Sequence, residues 1–297
     1  MCLWSTLWTV ANEWLNTVQY PFQPREFETG EGVLRYVDEG EGRPIVFLHG
    51  NPTWSYLYRH FIRGLSGGFR CIAPDLLGYG LSDKPPKTDY RPRTQARRLA
   101  GLLDVLGLED VTLVMNCAGG PLGFSWAIEN PERVHSLVLF NTWLWPLLEN
   151  RYAMRLSRLV GNPLNRFYYR ALNASPSFIL PALFADRHRI QRPSRTQYLE
   201  PFRSHRERGA LYTMIESLER DATWHEELWA KREVLAEKPA LMLWGTKDPI
   251  FGMDALARFE ELFPDHTTRH FPQSGRFVPE ESPMAALEEI RWFLMNR

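Results

Sequence analysis

The chain has 297 residues, 44% of them hydrophobic and 24% charged, with 35 basic and 35 acidic side chains that cancel. That balance excludes a disordered or collagen-like chain and leaves no basic excess with which to hold nucleic acid. Three cysteines, Cys2, Cys71 and Cys117, are too few and too scattered for a disulfide framework or a zinc cluster, so a reducing cytoplasm is the expected setting.

In chain order, "MCLWSTLWTVANEWLNTVQY" (1–20) is apolar, lacks a basic start, carries Glu13 and is too short to span a bilayer. Neither a signal peptide nor a transmembrane segment is expected. Leu3, Leu7, Trp8, Trp14, Leu15 and Val18 fall near helical spacing and predict an amphipathic helix. Packing on the body is favoured over a foot on a membrane, because the polar face has no Lys or Arg. "VLRYVDEG" (33–40) and "PIVFLHG" (44–50) then predict the arms of a hairpin or adjacent strands.

Further apolar runs, each closing in a turn, follow at 69–80, 111–120, 136–143, 240–248 and 267–275, with helical patterns between most of them. Such alternation predicts an α/β fold, a mostly parallel sheet covered by helices on both faces. Residues 143–237 break the rhythm with no strand pattern, many aromatics and arginines, and helical stretches such as "RYAMRLSRLV" and "GALYTMIESLERD". They predict a helical cap (143–237) inserted after the sixth strand of one core (1–142 and 238–297), over the strand ends where α/β folds bind ligands. No metal-ligand spacing, G-x-G-x-x-G or Walker pattern appears, so neither a metal nor a cofactor is expected. The arginine-rich stretch 195–209 reads as a solvated helix face.

"VMNCAGGPLG" (114–123) has the form of a nucleophile elbow, a strand, a tight turn and a helix with Cys117 at the apex. Gly119 and Gly120 supply the small residues after it, while Met115 is larger than usual before it. In "FLHGNPTWSYLYR" (47–59) the residue after His49-Gly50, Asn51, is placed to give a backbone N–H to an oxyanion hole. Ala118, following the nucleophile, would give the second.

"HGNPTWSYLYR", "APDLLGYGLSDKP" (73–85), "GGPLGFSWA", "LVLFNTWLWP" (137–146) and "LMLWGTKDPIF" (241–251) together make the chain resemble the haloalkane dehalogenase family of α/β-hydrolases from about residue 20 onward. The resemblance implies an Asp nucleophile, an acid and a His base, with halide held by a Trp N–H beside the nucleophile and by an Asn or Trp. Carried over position by position, it puts the nucleophile at Cys117, the adjoining halide-binding Trp at Ala118 and the base at Arg276. It also makes Asn51 the second halide-binding position and Asp248 the triad acid. Asn141 and Thr142 end the sixth strand without offering a rival acid.

These identities bear on the chemistry. A carboxylate displacing halide forms an ester that water can cleave, whereas a thiolate forms a thioether with no carbonyl to attack. Ala118 offers no side-chain N–H, and one preorganised donor to developing charge is worth roughly 2.7–4 kcal/mol. Arg276 stays protonated and cannot take a proton from water. His270, about six residues before the required loop, is expected to sit at the sheet edge, and His49 to fix the oxyanion turn.

Two readings stay open. In one, Arg276 lowers the pKa of Cys117 at a helix N-terminus and the thiolate attacks a small apolar ester, thioester or lactone. That Cys stands there favours this reading, since no single-base change leads from an Asp codon to a Cys codon. In the other, the chain is a pseudoenzyme whose pocket binds a small apolar ligand or a partner, Cys117 being a small buried residue and Arg276 with Asp248 a buried ion pair. Trp143 and Trp145 are candidates to line the pocket under either.

Overall fold

The computed structural model describes residues 13–187, 190 and 192–297. Eight strands form one sheet: β1 (Arg25–Glu28), β2 (Val33–Glu39), β3 (Pro44–Leu48), β4 (Arg70–Pro74), β5 (Val111–Cys117), β6 (Val134–Thr142), β7 (Ala240–Gly245) and β8 (His266–Phe271). Their spatial order is β1-β2-β4-β3-β5-β6-β7-β8, and β4 through β8 pair in parallel. This is the expected α/β-hydrolase architecture. The hairpin expectation for 33–40 and 44–50 fails, because β4 lies between β2 and β3 and pairs antiparallel with β2. β1 was not foreseen; "REFE" carries no apolar run and is held by its antiparallel register with β2, the Arg25–Asp38 and Glu26–Arg35 pairs and Phe27 against the core.

Alternating side chains of the central strands feed two cores. Val46, Leu48, Leu113, Met115, Leu137, Leu139 and Met242 enter one cluster, while Ile45, Phe47, Val114, Val138, Phe140, Leu241 and Leu243 enter the other. A strand buried on both faces reads as an unbroken apolar run, and that is why β3, β5, β6 and β7 were legible. Helix Pro92–Val105 shows the companion pattern. Proline starts it, and Ala96, Leu99, Leu102 and Leu103 line its buried face at helical spacing.

Between β6 and β7 the described chain is helical, with helices Arg151–Gly161, Pro163–Ala171, Arg192–Leu199, Gly209–Arg220 and Ala222–Lys231 joined by shorter turns. The N-terminal helix expected over 1–20 lies mostly outside the described residues, and its described end, 13–20, contains turns and no helix. There Trp14 meets Trp54 edge-on at 5.8 Å and its carbonyl accepts from Gln197 Nε2 at 2.8 Å, so this end is fastened both to the loop after β3 and to the helical segment between β6 and β7. Among the described residues, no helix is long and apolar enough to cross a membrane.

Candidate active site

The site lies where the parallel strands end. β5 delivers Cys117 at φ +51°, the left-handed conformation of a tight turn, and helix Gly119–Glu129 starts immediately after it. Holding a non-glycine residue there costs energy that the surroundings must impose. They do so by close approach: a Cβ on Gly50 would lie 2.5 Å from Cys117 Cβ, and one on Gly120 would lie 1.9 Å from Thr142 Oγ1. Thr142 Oγ1 also donates to the Cys117 carbonyl at 2.6 Å.

The backbone N–H groups of Ala118 and Asn51 both reach the Cys117 sulfur. The two sequence-expected donors therefore converge on one point. His49 fixes the loop that carries Asn51. Its Nδ1 donates to the Gly50 carbonyl at 2.9 Å and its Nε2 accepts from the Leu76 N–H at 3.0 Å. Burial pushes the His49 pKa down to about 4, so the ring is neutral.

Arg276, on the loop after β8, lies against Cys117 and binds Asp248 from two sides, Nε to Oδ2 at 2.8 Å and Nη2 to Oδ1 at 2.7 Å. Both side chains are buried. Burial opposes the Arg276 charge, but Asp248 and then Cys117 outweigh it and raise the pKa. Asn116 Nδ2 donates to the Arg276 carbonyl at 3.0 Å, and the Arg276 N–H donates to the Leu183 carbonyl at 2.9 Å, tying β5, the loop and the segment between β6 and β7 together.

For Cys117 the balance goes the other way. Burial raises its pKa and outweighs Arg276 and the two N–H groups, with Asp248 adding to the rise. The expected depression by Arg276 is thus cancelled. Burial does most of this, and Asp248, held by the guanidinium with both oxygens, adds a smaller contribution in the same sense.

A pocket opens above these groups, lined by Asn51, Cys117, Ala118, Trp143, Phe251 and Arg276 near the strand ends and by Leu156, Ile179, Met214, Ile215 and Leu218 from the helical segment between β6 and β7. Trp143 stacks on Phe251 at 4.7 Å and 17°, and the Arg276 guanidinium lies 4.5 Å from the same Phe251 ring. Trp143 Nε1 is buried with no hydrogen-bond partner among the described residues, a donor on a pocket-lining side chain. Trp145 does not line the pocket; its ring meets Trp229 edge-on at 5.3 Å and Phe259 at 5.2 Å.

Among the described residues, no histidine lines the pocket. His270 lies exposed on β8, the edge strand of the sheet, as expected, and His225 lies behind Trp143 at 5.9 Å with a pKa pushed down to about 4 by burial. Asn141 holds β6 to β7, its Nδ2 donating to the Gly245 and Phe251 carbonyls and its Oδ1 accepting the Gly245 N–H at 2.8 Å. Sequence reasoning missed Phe251, although it directly follows "DPI" after Asp248. It also missed Met214, Ile215 and Leu218, whose i, i+1, i+4 spacing on helix Gly209–Arg220 is a readable signal.

The family described as the alpha/beta hydrolase fold matches residues 43–283. Haloalkane dehalogenase 2 of Mycobacterium tuberculosis is 35% identical over 271 residues, covering 89% of this chain and 92% of that protein. A cis-3-alkyl-4-alkyloxetan-2-one decarboxylase of Xanthomonas campestris is 30% identical over 295 residues, covering 93% and 97%. Among solved structures, a haloalkane dehalogenase of Agrobacterium tumefaciens C58 superposes with a TM-score of 0.83 at 25% identity over 92% of this chain and 96% of that one. The chain therefore belongs to the α/β-hydrolase family, among relatives of the haloalkane dehalogenases.

Proposed function

We propose that this protein is a capped pocket for a small apolar ligand, built on a dehalogenase-like frame, in which Cys117 is a neutral thiol and halide displacement through an alkyl-enzyme does not cycle. The observation that carries this reading is the bidentate Arg276–Asp248 pair beside Cys117. With both carboxylate oxygens engaged, the pair presents little net positive charge, and burial keeps the proton on sulfur. The residue types agree: sulfur alkylated at Cys117 would have no carbonyl for water to attack, Ala118 brings no side-chain N–H to a halide, and Arg276 accepts no proton. Residues 143–237 act as the cap, and their aliphatic side chains select for an apolar ligand. The Trp143 indole N–H suits a single acceptor atom on that ligand. Among the described residues Cys71 and Cys117 are free thiols, which suits a reducing cytoplasmic setting.

The test is halide release from 1-bromobutane by the protein and by Cys117→Ala. This reading predicts at most one bromide per protein molecule, with a mass increase of one butyl group on Cys117. Release of many equivalents that requires Cys117 would overturn it.

A second reading is favoured by the retained elbow, namely the left-handed Cys117 and the two N–H groups directed at its sulfur. In it, Cys117 attacks the acyl carbon of a small ester, thioester or lactone, and those N–H groups hold the developing oxyanion. An oxetan-2-one, the ring named for the Xanthomonas relative, is a strained lactone of this class. An acyl adduct on Cys117 after incubation with a β-lactone, followed by its hydrolysis, would establish this reading. Equal rates of p-nitrophenyl ester cleavage with and without the thiol would remove it.

A further inference from the structure

We propose that the outer face of the cap helices Arg151–Gly161 and Pro163–Ala171 docks on an anionic lipid surface. Seven of the fifteen exposed large hydrophobic side chains among the described residues fall between 152 and 178: Tyr152, Leu159, Leu164, Phe167, Tyr168, Leu172 and Phe178. Each is more than half exposed. The inner face of helix Arg151–Gly161 is already buried through Ala153, Met154, Ser157 and Val160, so these side chains form a second apolar face that the fold itself does not cover. An apolar surface of this extent on a soluble chain marks a contact with something else.

The charge pattern identifies the partner. Residues 150–180 contain five arginines, no lysine and no acidic residue, in a chain whose net charge is zero. Among the described residues only Arg158 of these five pairs with a carboxylate, Glu219 at 3.5 Å. Arg170 donates to the His205 carbonyl, Arg166 lies over the Tyr212 ring and Arg151 over the Tyr152 ring. Arginines interleaved with exposed Phe, Tyr and Leu are the composition of helices that lie in the headgroup region of an anionic membrane. A second copy of the chain fits less well, because a two-fold contact through this face would set arginine against arginine.

The position of the face adds a consequence. Leu159, Tyr168 and Leu172 line an open apolar groove together with Leu156 and Ile179, and the last two also line the ligand pocket. A docked cap therefore brings the pocket within one layer of side chains of the acyl chains. The docking stands without any assumption about turnover; the supply of an apolar ligand from the bilayer rests on the ligand-binding reading above.

The experiment is flotation of the full chain with phosphatidylcholine vesicles that contain or lack phosphatidylglycerol. The expected result is flotation with the anionic vesicles only, reversed by high salt. Arg151→Ala with Arg155→Ala should weaken it on the order of 30-fold, from about 1 kcal/mol per arginine. Leu164→Glu with Phe167→Glu should abolish it while thermal unfolding stays as in the parent. A deletion of residues 1–12 that still floats assigns the binding to the cap; loss of flotation through that deletion alone would overturn the proposal. So would no flotation with anionic vesicles, flotation indifferent to both sets of substitutions, or a dimer in light scattering that Leu164→Glu with Phe167→Glu dissociates while vesicles are not bound.

Discussion

Arg59 with Glu280 and Arg276 with Asp248 are one device used in two places. In each the guanidinium makes two hydrogen bonds to the carboxylate, at 2.7 and 2.8 Å in both, and lies over an aromatic ring, Tyr56 at 4.0 Å and Phe251 at 4.5 Å. Burial works against both charges and the partner overcomes it, raising each arginine and, in the first pair, holding Glu280 below the usual carboxylate range. Their surroundings differ. Glu280 accepts a further bond from Tyr198 at 2.7 Å and the first pair closes upon itself, whereas Arg276 faces a thiol and a pocket. A buried bidentate pair is therefore no evidence of catalysis in itself; its role depends on the third group it touches.

The comparison can be broken first by removing one carboxylate at a time. Asp248→Ala and Glu280→Ala each strand a buried guanidinium, and each should lower the unfolding free energy in urea by roughly 3–5 kcal/mol. If only one of them does so, the two pairs are not equivalent structural supports.

A pH series sharpens it. His49 and His225 have folded pKa values pushed down by burial to about 4, so their stabilising contribution is full above about 6.5 and is lost as pH falls from there toward 4. Asp75 acts in the opposite sense. Burial raises its carboxyl to about 6, so it gains stability as pH falls from 6 to about 3.8. Two histidines against one aspartate leave a net loss on the order of 3 kcal/mol by pH 4. Unfolding free energies flat between pH 6.5 and 4.5 would contradict this assignment.

Asn116→Ala should cost about 1–3 kcal/mol, because it leaves the buried Phe140 and Arg276 carbonyls without their donor. Charge removal that keeps shape separates the two regions by chemistry instead of by stability. Asp248→Asn leaves Arg276 uncompensated beside Cys117 and should move thiol alkylation to lower pH, while Glu280→Gln should leave the alkylation profile unchanged.

Much of the fold and the site was legible because both are written in local chemistry. The runs that became β3 to β7 are apolar on both faces, and the segments around Cys117, Asn51 and Asp248 are short motifs that converge at the strand ends. Strand order was not legible, since the acidic turn between β2 and β3 looks like a hairpin and nothing local announces that β4 enters between them. Trp145 failed for a comparable reason, as its side of the chain is set by a non-helical segment of no fixed period. The protonation of Cys117 could not be read from residue types. A cation beside a thiol predicts a thiolate, and only the geometry shows that Asp248 takes up that cation with both oxygens.

The most direct measurement is the rate of Cys117 alkylation by iodoacetamide against pH, in a Cys2→Ser and Cys71→Ser background, with free cysteine measured in parallel. A neutral buried thiol predicts a midpoint above that of free cysteine. A midpoint below pH 7 would mean that Arg276 acts on sulfur despite Asp248, and would contradict the account.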